Sequence, residues 1–251
     1  MINDENVSVI ISYCSLERRF IEPLLREVSK FADEIILTTY DRLIVGDREP
    51  IEELTFLAGF SECETGLLVL PAMDLSDPKY FHNHLRHEGF KYSRFSWLLF
   101  LDGDEIPDGD NFRALFDSGL LREFDAVSFA CYWYFRSAKF RAKTLETCAL
   151  LCRREIINPQ VMYTSYERRI FEILPGIKFV GGMCLSKGPI LHHYSWVRTK
   201  EEMLKKVAWG HQRDKDWRAL IEKEFSSQFQ GIDFVHGYSY DTVTDIFNIG
   251  L

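Results

Sequence analysis

The chain has 251 residues, 46% of them hydrophobic and 27% charged, and its formal net charge is -8. This composition excludes a disordered or fibrous protein, and the length suits one large α/β domain or two small ones. The negative charge disfavours non-specific binding to nucleic acid, which depends on Lys and Arg side chains that neutralise phosphates. No apolar stretch is long enough to span a bilayer and the first residues are acidic, so we expect a soluble, cytoplasmic protein.

The first part of the chain alternates predicted strands with predicted helices. The strands are short and rich in β-branched and aliphatic residues. This alternation is typical of a parallel, doubly wound sheet with right-handed crossovers. No Gly-x-Gly-x-x-Gly or Walker-type sequence follows the first strand, which argues against a dinucleotide-dependent oxidoreductase or a P-loop enzyme. The predicted strands are Val7–Ser12, Glu34–Thr39 and Leu67–Pro71, and the predicted helices cover residues 16–31 and 78–94.

The most informative stretch is the apolar run Trp97–Leu101, which ends in the carboxylates of Asp102 and Asp104. A short, continuous apolar run predicts a strand buried on both faces, and ligands bind at the C-terminal edge of such sheets. Gly103 lets a ligand approach the turn closely. Two neighbouring carboxylates repel each other unless a cation lies between them. A hard divalent ion that also binds a nucleoside diphosphate would meet this requirement.

The same residues also suit a solvent-exposed acidic turn. Asp-Gly is a common turn sequence, and residues 108–111 continue the turn-forming pattern with Asp-Gly-Asp-Asn. The buried strand directly before Asp102 favours the metal site, and the plain turn stays open as the alternative.

The second part of the chain predicts strands of a different kind, followed by helices. A Pro-Gly pair at 175–176 suits a type II turn and predicts a hairpin. Thr199 and Glu202 form a capping-box pattern that opens a helix. The aromatic tail is expected to pack back on the domain. The predicted strands are Ala126–Phe135, Thr147–Leu151, Arg168–Ile173 and Ile177–Val180, the helices run from Thr199 to about His211 and from about Asp216 to Phe225, and the tail is Phe234–Phe247.

Four segments, in this order, resemble the GT-A nucleotide-sugar glycosyltransferases, particularly family 2-like bacterial and viral members. Together they cover most of the chain from Val7 to about Lys206. The segment around Asp102 is the most specific of them. The first segment is Val7–Ser12 with its following helix and the strand that begins Asp33–Ile36. The second is Arg86 at its gapless spacing to Trp97–Glu105, which is similar to the family's Arg-Asn…Trp-Ile-Leu-Phe-Leu-Asp-Ala-Asp-Glu. The third is Glu167–Phe171, similar to an Arg-Leu-Phe strand, and the fourth is Leu191–Trp196, similar to Leu-x-His-Tyr-Ser.

The resemblance implies a GT-A fold, which is a Rossmann-like α/β fold with a mixed, mainly parallel sheet flanked by helices. It implies a nucleotide-sugar-binding catalytic domain over residues 1–198 and a C-terminal helical extension over residues 199–251, packed on the same domain. The implied activity is a metal-dependent transfer of a sugar from a nucleoside diphosphate-sugar, with UDP or GDP as the nucleotide, to an acceptor hydroxyl. An inverting, hexosyltransferase-like enzyme is expected.

The resemblance also assigns roles to the donor-side residues. Asp104 would bind the metal directly, Asp102 would contact it through water or contact the donor ribose, and His193 would add an imidazole. Mixed carboxylate and imidazole ligands suit Mn²⁺ or Mg²⁺. Arg86 would pair with the diphosphate, because a guanidinium fork matches phosphate oxygens. A hydrogen-bonded core histidine stays open as the alternative for His193, and Asp41 would contact the base or ribose.

Two positions depart from the family pattern. The run Thr38–Asp41 replaces the family's Asp-Asp-Gly-Ser. Inverting transferases need a general base near the acceptor hydroxyl, and relatives carry His-Glu where this chain has Met183-Cys184. Glu172 and Glu167 are the candidate catalytic carboxylates, and Glu146 is a third.

Two other function classes stay open. A non-catalytic sugar- or nucleotide-binding protein would keep the fold without the base. A nucleotidyltransferase would use carboxylate-bound Mg²⁺, but the stretch Tyr13–Arg18 lacks the glycine-rich loop that such enzymes carry. The possible acceptors are a glycan, a lipid-linked sugar, a protein or a modified nucleobase, of which the acidic charge disfavours the last.

Overall fold

The computed structural model of the protein describes residues 6–43, 46–59, 63–72, 78–158, 176–208 and 215–251. In these ranges the strands form one ten-stranded sheet, and five α-helices lie around it. The strands are β1 (Val7–Ser12), β2 (Glu34–Tyr40), β3 (Glu64–Leu70), β4 (Trp97–Asp102), β5 (Glu105–Pro107), β6 (Ala126–Phe135), β7 (Ser137–Arg153), β8 (Phe179–Met183), β9 (Leu191–Trp196) and β10 (Tyr240–Thr242). The helices are α1 (Arg18–Val28), α2 (Pro78–Tyr92), α3 (Gly109–Asp117), α4 (Lys200–Ala208) and α5 (Trp217–Glu224).

The strand order is β3-β2-β1-β4-β7-β6-β9-β5, with β10 paired to β7 and β8 paired to β6. Strands β3, β2, β1 and β4 are parallel, and β7 then joins β4 in the antiparallel sense. Strands β8 and β9 are parallel to β6. This is the mixed, mainly parallel α/β sheet that the sequence predicts.

The parallel half brings the C-terminal ends of its strands to one edge. Ser12 at the end of β1 pairs with Asp102 at the end of β4 and with Thr38 of β2. Every residue of β1 and β2 is buried, as expected for strands covered on both faces. Helix α2 lies against β1 and β2, where an ideal Cβ on Gly89 would stand 2.5 Å from Cγ2 of Ile10. The glycine therefore lets α2 approach the sheet closely.

Strand β7 is much longer than the sequence predicts. The sequence indicated only Thr147–Leu151, whereas the strand covers 17 residues, Ser137–Arg153. Its first part mixes exposed and half-buried positions and offers no apolar run. The second strand of the predicted hairpin, 177–180, overlaps β8 (Phe179–Met183) at only two residues. Its predicted partner at 168–173 lies outside the described residues.

The C-terminal region packs against the part of the sheet that β6, β7 and β9 form. The capping box that opens α4 is confirmed, because the backbone N–H of Thr199 donates to Glu202 (2.8 Å) and the backbone N–H of Glu202 donates to Thr199 Oγ1 (3.2 Å). The tail adds β10 to the sheet and packs Phe234 on Trp196. The division of the chain at residue 198 stays a prediction. No helix within the described ranges is long and apolar enough to cross a membrane.

Candidate functional site

The turn between β4 and β5 links the centre of the sheet to its far side. The backbone N–H of Gly103 donates to the Ser12 carbonyl (2.9 Å), and the N–H of Tyr194 donates to the Asp104 carbonyl (2.9 Å). The turn is therefore fixed between β1 and β9. Asp104 is 3% exposed, so the alternative of a solvent-exposed turn does not hold for this residue.

The Asp104 carboxylate is surrounded by basic side chains. Its Oδ2 lies 3.1 Å from Nη2 of Arg198 and 3.5 Å from Nζ of Lys206. Its Oδ1 lies 3.4 Å from Nε2 of His193. Burial acts to raise the pKa of Asp104, but Lys206, His193 and Arg198 outweigh it and keep the pKa well below its usual range. Asp104 is therefore an anion with three basic neighbours.

Asp102 is paired with Arg86. Nη2 of Arg86 donates to Oδ1 of Asp102 at 2.7 Å, and Nη1 donates to Asn83 Oδ1 at 3.2 Å. The Arg86 side chain is 4% exposed and Asp102 is 21% exposed. Among the described residues, the buried Arg86 Nε and the buried Ser12 Oγ have no hydrogen-bond partner. Asp102 is thus a part-exposed carboxylate, with Arg86 bonded to it and Ser12 paired with it on β1.

Glu17 belongs to the same cluster, and sequence reasoning missed it. It is buried, and its Oε2 accepts the N–H of Cys14 (3.2 Å). An ideal Cβ on Gly103 would clash with this oxygen, so Glu17 fills the space that glycine leaves. Burial and then Asp104 raise the pKa of Glu17 to about 8. The one signal in the sequence for this packing was Gly103, which stands where the family pattern has alanine.

His193 connects the carboxylates to two thiols. Its ring and the sulfurs of Cys131 and Cys148 offer ligand atoms within 4.8 Å of one another. Burial acts to lower the pKa of His193, but Asp104 and Cys131 outweigh it and raise the pKa well above its ordinary value. A hydrogen bond with Cys148 lowers the pKa of Cys131 to about 7. Two thiolates and an imidazole suit zinc rather than Mn²⁺ or Mg²⁺.

The predicted Mn²⁺ or Mg²⁺ ligands do not fit such an ion in this arrangement. Both Asp104 oxygens and one Asp102 oxygen already face basic side chains. Two unit charges about 4 Å apart interact by roughly 4 kcal/mol at an effective dielectric constant of about 20. A divalent ion doubles that repulsion for each cation beside it. Arg86, Arg198 and Lys206 therefore already face the two carboxylates that a metal would bind.

The other predicted site residues make contacts of their own or lie outside the described ranges. Asp41 follows β2, and its Oδ1 accepts the N–H of Ala72 (2.8 Å). Glu146 on β7 accepts the hydroxyl of Tyr238 at 2.6 Å. The candidate bases Glu167 and Glu172 lie outside the described residues.

A group of aromatic rings adjoins His193. The Trp133 ring lies 4.7 Å from the His193 ring and 4.9 Å from the His236 ring, edge-on to both. The Tyr238 ring stacks on His236 at 5.0 Å. Asp233 fixes this loop, because its carboxylate accepts four backbone N–H groups between residues 235 and 238 and the Tyr240 hydroxyl. The tail therefore presents rings beside the carboxylate cluster.

Several solved structures are similar to this chain. TarS 1-349 from S. aureus matches with a TM-score of 0.50 and 12% identity, over 88% of this chain and 72% of that one. Glycosyltransferase GlyE from Streptococcus pneumoniae matches with a TM-score of 0.44 and 14% identity, over 89% and 64% of the two chains. HddC from Yersinia pseudotuberculosis matches with a TM-score of 0.44 and 10% identity, over 80% and 97%. No protein-family model and no curated protein sequence matches.

The strand order and the similarity to TarS define the class of the fold. It is the GT-A-like fold that the sequence predicts. At 12% identity this likeness establishes the fold alone, and the chemistry must be argued from the site.

Proposed function

We propose that this protein is a glycosyltransferase that moves a sugar from a nucleoside diphosphate donor to an acceptor hydroxyl. The observation that carries this proposal is the pair of unpartnered groups at the C-terminal edge of β1 and β4. Arg86 Nε and Ser12 Oγ are buried beside Asp102 without a partner among the described residues. A buried, unsatisfied polar group costs about 1–3 kcal/mol. A ligand rich in phosphate and hydroxyl oxygens would satisfy both groups at the edge where such sheets bind ligands.

Arg86 is suited to the diphosphate of a UDP- or GDP-sugar. One side of its guanidinium is fixed by Asp102 and Asn83, so the group is oriented before a ligand arrives. A guanidinium that is already oriented binds phosphate with little loss of side-chain entropy. Asp102 is the proposed contact of the donor ribose, and Asp41 at the end of β2 is the proposed contact of the base or ribose.

The acceptor is proposed to bind against the rings of His236 and Tyr238, and the buried Trp133 lies beside His236. Trp133 also lies beside His193, and aromatic faces suit the apolar faces of sugars. In the reaction, the acceptor oxygen bonds to the anomeric carbon as the bond from that carbon to the diphosphate breaks. The electron pair stays on the phosphate oxygen, and the acceptor proton passes to a base. Glu167 and Glu172 remain the predicted bases for this inverting, hexosyltransferase-like transfer.

The sequence also predicts Mn²⁺ or Mg²⁺ on Asp102, Asp104 and His193, and this stays a prediction. The basic side chains around the two carboxylates argue against it. No step of the proposed transfer therefore depends on a metal.

Thermal unfolding with UDP, GDP, CDP and dTDP, each with EDTA or with Mn²⁺, tests the donor site. A nucleotide at about 100 times its dissociation constant stabilises the native state by about 2.7 kcal/mol. We expect one nucleotide to raise Tm, and Arg86→Met to remove the shift. Arg113→Met is the matched control, because Arg113 is an exposed arginine on α3. A folded protein that none of the four nucleotides stabilises would contradict the proposal.

Turnover separates the remaining function classes. The donor that corresponds to the stabilising nucleotide is incubated with glycan, lipid-linked and protein acceptors, and release of the nucleoside diphosphate is measured. Binding without release under every condition would indicate a non-catalytic binding protein. Release of pyrophosphate from a nucleoside triphosphate and a sugar phosphate would indicate a nucleotidyltransferase.

A further inference from the structure

The carboxylate cluster at the end of β4 meets three cations of the protein itself. Arg86 contacts Asp102 at 2.7 Å, and Arg198 and Lys206 contact Asp104 at 3.1 Å and 3.5 Å. A diphosphate that binds here therefore meets basic side chains. Burial and Arg198 lower the pKa of Lys206, and the Asp104 carboxylate beside it acts to raise that pKa. The three cations differ in how much of their hydrogen-bonding capacity the protein already uses.

All three guanidinium nitrogens of Arg198 make hydrogen bonds that hold the site together. Its Nε donates to the Ser195 carbonyl (2.9 Å), its Nη1 donates to the Leu16 carbonyl, and its Nη2 donates to Asp104. The side chain is 1% exposed. Arg198 therefore links the end of β9 to the loop after β1 and fixes Asp104, and it has almost no surface to offer a ligand.

Lys206 has hydrogen-bonding capacity left, as Arg86 has at its Nε, which has no partner among the described residues. Its ammonium has three N–H donors, and within the described part of the chain it makes one short bond, to Ser195 Oγ at 2.8 Å, and one long contact, to Asp104. Its side chain is 16% exposed. The long, flexible stem of lysine allows the ammonium to reach a phosphate oxygen without moving α4.

We propose that Lys206, positioned by Ser195 and Asp104, supplies the positive charge that the departing nucleoside diphosphate requires, so that transfer needs no divalent metal. This inference rests on the proposed glycosyltransferase function. Asp104 then orients a lysine and does not bind a metal. The buried Arg198 adds a further positive charge beside Asp104.

The role of Lys206 follows from where charge develops during transfer. As the anomeric carbon exchanges the diphosphate oxygen for the acceptor oxygen, the departing β-phosphate oxygen keeps the electron pair and gains negative charge. The Lys206 ammonium stabilises that oxygen through a charged hydrogen bond and keeps its own proton. The proton of the acceptor hydroxyl goes to the separate base.

Calorimetric titration with UDP and GDP, on protein stripped with EDTA and on the same protein with Mn²⁺ restored, tests the inference without relying on activity. We expect one nucleotide to bind the stripped protein, with a Kd that Mn²⁺ changes less than about threefold. Lys206→Met should weaken that Kd by at least about tenfold, because an ammonium contact to phosphate is lost. Lys206→Arg should recover part of the affinity.

Lys205→Met is the matched control, because Lys205 is the exposed neighbour on α4. Its Kd should equal that of the wild type. Equal weakening by both variants would overturn the assignment of Lys206, since the effect would then be one of general charge. The wild-type comparison of EDTA and Mn²⁺ needs no variant, so it decides the question of metal even if Lys206→Met fails to fold.

Failure of this inference is distinguishable from failure of the proposed function. Nucleotide binding that appears only with Mn²⁺ overturns the role of Lys206 as a metal substitute and leaves the donor site intact. No nucleotide binding under either condition, in folded protein, removes the donor site and with it the inference.

Discussion

His192 and His193 are consecutive residues of β9, yet they belong to opposite kinds of environment. His193 faces Asp104 and its pKa is raised well above the ordinary value, because that carboxylate outweighs burial. His192 lies among tyrosine and phenylalanine rings, bonded to the Tyr134 hydroxyl at 2.8 Å, and burial lowers its pKa to about 4. One face of the strand therefore meets a cluster of charges and the other an aromatic layer.

This difference shows how a single strand serves two purposes. The charged face depends on ion pairs, each of which leaves an uncompensated charge if one partner is removed. The aromatic face depends on burial, which tolerates a neutral histidine but opposes a charged one. The two faces should therefore respond to different perturbations, the first to loss of a partner and the second to acid.

The largest effect is expected from breaking the charged face at Asp104. Asp104→Ala leaves the buried Arg198 without its carboxylate, and removing one partner of a buried pair costs about 3–5 kcal/mol. The free energy of unfolding in urea measures the loss. The control is Asp110→Ala, because Asp110 is 83% exposed in its pair with Lys30 and exposed pairs contribute about 1 kcal/mol or less. Equal losses for the two variants would contradict the distinction.

The aromatic face should lose stability in acid. His192 has a pKa of about 4 in the folded protein and about 6.5 in the unfolded chain. The unfolded state therefore binds more protons between these values, and stability falls as the pH drops from about 6.5 to 4, by about 3 kcal/mol at 1.36 kcal/mol per pH unit. Unfolding in urea at several pH values measures this loss.

His192→Phe removes the titrating group and is the test of that assignment. The difference between wild type and variant isolates His192 from the carboxylates that titrate in the same range. We expect the variant to lose about 3 kcal/mol less stability than the wild type over this interval. Parallel curves for the two proteins would show that His192 does not cause the acid sensitivity.

A smaller effect is expected at Arg86, which is paired with Asp102 at the proposed donor site. Arg86→Lys keeps the charge but loses the Nε donor and the fork geometry, so we expect the Kd for the stabilising nucleotide to weaken about tenfold. Calorimetric titration measures it, and Arg113→Lys on α3 is the control. An unchanged Kd for Arg86→Lys would mean that only its charge matters.

The smallest effect is expected at the aromatic surface formed by His236 and Tyr238. His236→Ala removes an exposed ring, and we expect kcat/KM for the acceptor to fall about three- to tenfold while the nucleotide Kd stays unchanged, since a ring contact contributes about 0.5–1.5 kcal/mol. Tyr92→Ala is the control, because this ring is 62% exposed at the end of α2. A loss of nucleotide affinity would place His236 on the donor side instead.

Much of the parallel half was predictable from short-range patterns. Strands β1 and β4 appear as continuous apolar runs because both faces are covered, and the carboxylates of Asp102 and Asp104 are visible directly after such a run. The capping box of α4 is equally local, since Thr199 and Glu202 lie one turn apart. The first ten residues of β7 were missed because half-exposed, mixed positions carry no apolar run.

The partners of the site were beyond sequence reasoning, because they are distant along the chain. Arg198 and Lys206 are 94 and 102 residues from Asp104. Lys206 follows a second lysine on an amphipathic helix, and nothing local distinguishes the exposed one from the one that reaches a carboxylate. Glu17 was hidden in the same way, since its burial depends on the turn at Gly103 that packs against it.

The sequence by itself determined the α/β class, the first four strands along the chain and the position of the carboxylates at a strand end. These features depend on local hydrophobic patterns, which short segments carry in full. The tertiary structure alone decided what surrounds those carboxylates. Their electrostatic environment depends on distances between side chains far apart in sequence, and the pairing of β5 with β9 sets those distances. The identity of the cation at Asp104 is therefore a property of the folded chain.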